Sequence, residues 1–291
     1  MAAAIGVVIN EEKPQAIKTG QELYHWLRRR DIEIYFIHET AELVGYPECG
    51  LDEKDLIQAV DFLVSLGGDG TLLYAARIAG ASEKPILGVN LGNFGFLVAV
   101  EPKKIYHSLE KVLAGNYLCD KRMVIKSTVY RNGEATDVAY ALNDVVITKG
   151  GFSRMIRLAT YVAGEYVNNF PADGIIVSSP TGSTGYSLSA GGPIVSPKVD
   201  VIIITPICPH TLYTRPLVIS PEEEVRLILE TADSEVVLTI DGQVGFVLQK
   251  GDEVVLERAP YRTQLIRFPE WNFYDVVRNK LNKGERNGQA F

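Results

Sequence analysis

The chain has 291 residues, with 29 Lys and Arg against 36 Asp and Glu, a formal net charge of −7. Hydrophobic residues at 46% and charged residues at 22% are enough to bury a core, which excludes wholesale disorder. The negative balance argues against a general binder of nucleic acid or of an anionic membrane.

Ile5–Ile9 is continuously apolar and has no basic residue before it. It reads as a buried strand rather than a signal peptide. Pro14–Arg30 reads as a helix with proline in its first turn and an apolar stripe at Ile17, Leu23, Trp26 and Leu27. Glu33–Ile37 is a second strand, Leu56–Val60 a short helix and Phe62–Leu66 a third strand. Thr71–Ala79 is a helix, Pro85–Asn90 a fourth strand and Lys103–Leu113 a further helix. Such alternation predicts a parallel sheet covered on both faces.

Beyond Gly115 the texture changes to short β-branched runs. These are Met123–Tyr130, Asp144–Thr148, Ile156–Val162, Ile175–Ser179, Val201–Thr205, Val225–Leu229, Val236–Ile240 and Val254–Arg258. Turn signals such as Arg131-Asn132-Gly133 and Lys250-Gly251-Asp252 separate them. The pattern predicts an α/β N-terminal domain with a parallel sheet over residues 1–117. An all-β sandwich domain follows over 118–269. Phe273–Leu281 turns helical, and the last ten residues read as a disordered tail.

The three cysteines form no C-x-x-C and the four histidines no i, i+4 pair, so neither a zinc site nor a disulfide framework is signalled. A reducing, cytoplasmic setting fits that usage. No run approaches the length of a membrane-spanning segment.

Three segments carry chemistry. Gly67-Gly68-Asp69-Gly70-Thr71 follows a strand and opens a helix. A glycine-rich turn at the carboxyl end of a parallel strand exposes N–H groups, and the helix adds its positive end, so phosphate is the natural guest. The alternative is a tight βα turn whose glycines only satisfy backbone geometry. An aspartate in its middle favours function, because a carboxylate facing phosphates needs a metal ion or a substrate proton. The G-x-x-x-x-G-K-[ST] loop is missing. Leu73 stands where G-x-G-x-x-G would need glycine. The second segment runs from Asp173-Gly174 through Pro180-Thr181-Gly182-Ser183-Thr184-Gly185-Tyr186-Ser187-Leu188-Ser189-Ala190-Gly191-Gly192-Pro193. It reads as a long polar loop rich in hydroxyls, with Tyr186 as a surface for stacking. The third is Asn143-Asp144 at the start of a strand, able to bind hydroxyls or an amino group, or else to cap the strand.

On these residues the chain resembles the NAD kinases. The resemblance runs through nearly its whole length. It includes Asn90-Leu91-Gly92-Asn93-Phe94-Gly95-Phe96-Leu97, His210 with Arg215-Pro216-Leu217, and Asp241-Gly242-Gln243. The glycine loop alone also occurs in diacylglycerol-type lipid kinases and, with Ser for Thr, in phosphofructokinases; the Pro180–Pro193 segment is more specific. A lipid kinase would need to reach a membrane alcohol, and the sequence offers neither a basic amphipathic helix nor a lipid anchor. The resemblance implies phosphorylation of the adenosine ribose 2′-hydroxyl of NAD by ATP with magnesium or another divalent metal. It implies an α/β domain plus a β-sandwich with NAD in the cleft between them. A C-terminal helix, residues 270–284, would return to the first domain.

The resemblance also assigns roles. Asp69 would be the base, beside Gly70, with the backbone of Gly67, Gly68, Asp69, Gly70 and Thr71 around the phosphates. Asn143 and Asp144 would hold the adenosine end, and Phe96 would lie against the NAD. Thr184, Gly185, Tyr186, Ser187, Leu188 and Ser189 would line its site, with Tyr186 stacking. Asp173 would bind the nicotinamide side. Arg154 and Gln243 match binding positions, as does His210. No protein-held metal ligand is implied, and a homodimer or homotetramer is. Three positions depart from common bacterial members: Tyr74 and Pro171, where basic residues are frequent, and Gly185, where alanine is usual.

Overall fold

The computed structural model describes residues 3–92, 95–151, 154–211, 214–231 and 235–286. The chain divides into two compact units, 1–121 with 264–291 and 122–263. The architecture is the expected one, an α/β unit with a parallel sheet and a β-sandwich.

The first unit begins β1 (Ala4–Ile9), α1 (Pro14–Arg28), β2 (Glu33–Ile37), α2 (His38–Val44), β3 (Gly50–Leu51) and α3 (Glu53–Ala59). It continues β4 (Phe62–Gly67), α4 (Asp69–Ala79), β5 (Ile86–Asn90) and α5 (Ile105–Leu113). Parallel pairing sets the order β5-β4-β1-β2-β3. Every residue of β1, β4 and β5 is buried, as the unbroken apolar runs require of strands covered on both faces. Ile5, Val7, Phe36, Val64, Leu66, Leu87 and Val89 pack with Leu23 and Leu27 of α1 and Leu109 of α5.

The second unit holds β6 (Leu118–Arg131), β7 (Glu134–Ala141), β8 (Asp144–Lys149), β9 (Ile156–Val162), β10 (Glu165–Ala172) and β11 (Gly174–Ser178). After the four-residue helix α6 (Tyr186–Ser189) come β12 (Ile202–Ile207), β13 (Leu217–Ile219), β14 (Val225–Leu229), β15 (Val236–Ile240), β16 (Val244–Leu248) and β17 (Glu253–Arg267). One sheet runs β13-β12-β11-β8-β15-β16, all antiparallel. The other runs β10-β9-β14-β17, and β6 pairs with both β17 and β7. Val145, Ile147, Ile175, Val177, Leu238 and Ile240 of the first meet Leu158, Val225, Leu227, Val254 and Leu256 of the second in one core.

Two strands cross the unit boundary. β6 starts in the first unit, and β17 ends in it, where Leu265 lies opposite Ile86 in parallel to β5. Leu265 and Ile266 are both fully buried, and Ile266 belongs to the core of the first unit. Then α7 (Phe273–Arg286) follows. It covers the first part of the tail that the sequence suggests is disordered; residues 287–291 lie outside the described residues. Among the described residues no helix is long and apolar enough to cross a membrane.

Candidate active site

The expected site residues fall into two groups, one on each unit. On the first, β4 ends at Gly67 and α4 starts at Asp69, with Gly68 extended between them (φ −118°, ψ −162°). A side chain on Gly67 would meet Thr71 Oγ1 at 2.1 Å, whereas Gly68 and Gly70 have open space where a Cβ would stand. No side chain therefore crowds Gly68 or Gly70, at the positive end of α4.

The half-buried Asp69 carboxylate accepts three successive backbone N–H groups. Phe96 N donates to Oδ2 at 2.7 Å, and Leu97 N and Val98 N to Oδ1 at 3.0 and 3.2 Å. The two glycine turns thus share one anchor. Gly95 makes this possible, because a Cβ there would lie 2.0 Å from Asp69 Oδ1. Leu91 N donates to Gly67 O at 2.8 Å, tying the turns again, and Gly92 N donates to Asn90 Oδ1 at 3.0 Å within the second turn. Lys13, from the turn after β1, brings its Nζ to 2.4 Å from the place of a Gly92 Cβ. Asn93 and Phe94 lie outside the described residues. Tyr74 donates to Glu53 Oε1 at 2.9 Å under the Arg77 guanidinium, 4.8 Å from its ring centre. Burial first, then the Glu53 bond, push its phenol up to about 12, so it is neutral.

On the second unit the organiser is Asp241. Asp241 and Gly242 take left-handed conformations (φ 51° and 66°), and Gln243 N donates to Ile240 O at 2.9 Å. This is the Asp-Gly turn that joins β15 to β16 in register. The Asp241 carboxylate accepts the N–H groups of Leu142, Asn143 and Asp144 at 2.9, 2.7 and 3.0 Å. Those bonds fix Asn143-Asp144 at the start of β8. Burial, then the Asp241 charge, push Asp144 up to about 7. Burial also raises Asp241, against the lowering effect of its three N–H donors. The Asn143 side-chain oxygen is buried and has no hydrogen-bond partner.

The Pro180–Pro193 segment is not the continuous loop the sequence suggests. It contains a 3-10 turn, Gly182–Thr184, and the helix α6. Several hydroxyls hold the segment itself. Ser179 Oγ donates to Leu142 O and accepts from Thr181 and Gly182 N–H, and Ser183 Oγ donates to Pro180 O at 2.7 Å and accepts from Val195 N at 3.0 Å. Ser187 is fully buried, its Oγ 3.0 Å from Thr205 Oγ1. Gly182 packs against Asn143, whose carbonyl oxygen would be 2.1 Å from a Cβ. The place of a Gly185 Cβ is 3.6 Å from Asp144 Oδ2 and 3.8 Å from Asn143 Nδ2. Thr184, Gly185 and Leu188 are half-buried; Tyr186 and Ser189 are exposed.

The remaining residues spread further. Asp173, between β10 and β11, pairs with Lys149 at 2.7 Å. Pro171 lies opposite Arg157, and its carbonyl accepts from His210 N. Arg154, His210, Arg215 and Gln243 are exposed. Two contributors carry no signal in the sequence: Lys13, on a turn distant in the chain, and Arg267, buried at the end of β17. Arg267 Nη1 donates to Leu97 O at 2.8 Å. Among the described residues no group of three or more His, Cys, Asp or Glu is arranged to hold a metal.

Residues 5–117 match the family model of the ATP-NAD kinase N-terminal domain, and residues 142–268 that of the ATP-NAD kinase C-terminal domain. The chain is 49% identical over 280 residues to the NAD kinase of Moorella thermoacetica, covering 96% of this chain and 89% of the relative. It is 44% identical to that of Heliobacterium modesticaldum, covering 96% and 99%. Among solved structures, yeast NADH kinase complexed with NADH superimposes with a TM-score of 0.89 at 26% identity, covering 97% of this chain and 88% of the other. An NAD kinase from Archaeoglobus fulgidus in complex with ATP gives 0.73 at 25% identity, covering 97% and 98%.

Proposed function

The chain belongs to the NAD kinase family, and from that membership we propose which of its residues carry out the reaction. The reaction itself is the phosphorylation of NAD with ATP, at the 2′-hydroxyl of the adenosine ribose, to give NADP and ADP.

The observation that carries the assignment of the base is Asp69: a carboxylate at the head of α4, in a glycine turn whose flanking positions are open. Aspartate is a weak base in water, with a pKa near about 3.9. It acts only when the ribose hydroxyl lies within hydrogen-bond reach as it attacks the γ-phosphorus. Of the roughly four acceptor sites on a carboxylate, three take the N–H groups of Phe96, Leu97 and Val98. The site left is on Oδ2, and we assign the ribose proton to it. The bound carboxylate is immobile, so positioning is done before substrate arrives. The backbone of the Gly67–Thr71 turn, at the head of α4, cradles the donor phosphates. Magnesium would enter with the donor rather than on protein ligands, and would supply charge neutralisation at the phosphates.

For the acceptor, Asn143 and Asp144 hold the adenosine end. The unpartnered Asn143 oxygen supports this, since a buried acceptor is costly until a ligand donates to it. Phe96 lies against the NAD, and the exposed Tyr186 ring stacks on it. Thr184, Gly185, Leu188 and Ser189 line the site, with Ser187 supporting the segment from behind through Thr205. Asp173 takes the nicotinamide side and exchanges its Lys149 partner for ligand donors. Arg154 and Gln243 complete the contacts. Free Cys49, Cys119 and Cys208 fit a reducing, cytoplasmic location. A homodimer or homotetramer is part of the same reading. Exposed Val218 and Val247, on the edge strands β13 and β16, support it.

The test is NADP formation with NAD, ATP and magnesium, read by an NADP-specific dehydrogenase. Activity that needs all three and falls about 10²–10⁴-fold in Asp69→Asn is the expected result. Wild-type turnover in that variant would remove Asp69 as the base.

A further inference from the structure

Both backbone polar groups of Leu97 are held. Its N–H goes to Asp69 Oδ1 at 3.0 Å, and its carbonyl takes the Arg267 guanidinium at 2.8 Å. We propose that Arg267 is a positioning residue for the phosphoryl transfer, holding the 95–98 turn in the register that aims the Asp69 carboxylate. The proposal rests on the assignment of Asp69 as the base.

The placement follows from topology. β17 ends parallel to β5, with Leu265 opposite Ile86, so Arg267 arrives beside the segment into which β5 leads. The guanidinium is itself held. It is 3% exposed, its Nε is 3.4 Å from Asp120 Oδ2, and its centre lies 4.3 Å from the Trp271 ring centre. A planar group with donors on several edges can serve a carboxylate, a carbonyl and a ring face at once; an ammonium cannot. The same C-terminal segment touches the turn a second time, where Lys280 Nζ of α7 sits 5.4 Å from the Phe96 ring centre. With Gly95 leaving no clearance over Asp69, any slip of Leu97 moves the carboxylate or breaks its bonds.

The test compares Arg267→Lys with Asp120→Asn. The second variant weakens the outer ion pair and leaves the Leu97 bond in place. In Arg267→Lys we expect kcat at saturating ATP and magnesium to fall at least 10-fold, with KM for NAD within about 3-fold. Hydrogen exchange at the Phe96, Leu97 and Val98 amides should rise, while exchange in β1 and β4 stays as in wild type. Asp120→Asn should keep kcat within about 3-fold at a comparable loss of melting temperature. An unchanged kcat in Arg267→Lys, unchanged exchange at those amides, or an equal loss of kcat in Asp120→Asn would each overturn the proposal. If Arg267→Lys does not fold, native-state exchange of the wild type decides. Residues 96–98 should open together with 264–267, and earlier opening of the turn alone would refute the hold. Retained turnover in Asp69→Asn would sink the base assignment instead, and the amide exchange reads the Arg267 contact independently of it.

Discussion

Two aspartates do the same structural work, one on each unit. Asp69 gathers the N–H groups of residues 96–98 and Asp241 those of 142–144. Each carboxylate therefore sets the path of a remote segment, and its removal costs more than its charge. Asp69→Asn presents an amide N–H to a backbone N–H on one side. It should lose about 1–3 kcal/mol of stability as well as turnover, measurable by thermal unfolding of the free protein. Gly95→Ala tests the same contact from the other side. Its Cβ would fall on the carboxylate, so stability should drop by roughly 1–3 kcal/mol and kcat with it. Asp144 adds a dependence on pH. Burial lifts it from an ordinary 3.8 to about 7, so the folded state keeps a proton that the unfolded chain releases. Stability is therefore lost as pH rises from about 4 to 7, with a ceiling of roughly 4 kcal/mol, and the penalty is constant above that. Asp144→Asn removes the penalty. Its melting temperature relative to wild type should be higher at pH 8 than at pH 5, and an equal offset at both would contradict the assignment.

At the scale of elements, the Pro180–Pro193 segment shows what a sequence can and cannot reveal. Its density of serine, threonine and glycine singles it out as a candidate site, but composition does not say which hydroxyls face outward. Ser179, Ser183 and Ser187 turn inward and bond the segment to itself and to β12, leaving the half-buried and exposed positions 184–186, 188 and 189 to the outside. The helix α6 is one turn long, below the length at which 3.6 periodicity can be detected. The glycines separate in the same way. Gly182→Ala drives a Cβ into the Asn143 carbonyl at 2.1 Å, so it should destabilise by roughly 1–3 kcal/mol and raise KM for NAD. Gly185→Ala meets the Gly182 carbonyl oxygen at 3.3 Å, a contact relieved by a shift of a few tenths of an ångström, and should cost less than Gly182→Ala in both. A melting curve and a KM for each variant check the contrast. Strands with a clean apolar pattern, such as Ile156–Val162, Val225–Leu229 and Val236–Ile240, are legible to the residue. β3 is too short to be read, β7 has a single buried residue, and β10 carries Asn168, Asn169 and Pro171, which mask its pairing with β9. Asp69 and Asn143-Asp144 are visible because their neighbours are unusual. Arg267 and Lys13 are not, because only the fold brings them to the turns they touch.

At the scale of the whole molecule, the first unit is not a continuous stretch of chain. Its sheet acquires the end of β17, and its core includes Ile266. A fragment of residues 1–121 lacks both, along with α7. It should fail to show a cooperative thermal transition, and adding residues 264–286 in trans or by a linker should restore one. A cooperative melt of 1–121 alone would contradict this. During synthesis the same interruption becomes a delay. The ribosome makes β1 to β5 first, yet the strand that lies beside β5 leaves it roughly 180 residues later, on the order of ten seconds at ordinary elongation rates. For that interval the Ile86 end of β5, which Ala99 and Val100 do not cover, lacks its neighbour and is open to pairing with another nascent chain. Crowded translation and slow codons within residues 122–263 would then lower the yield of folded enzyme without touching any residue of the active site.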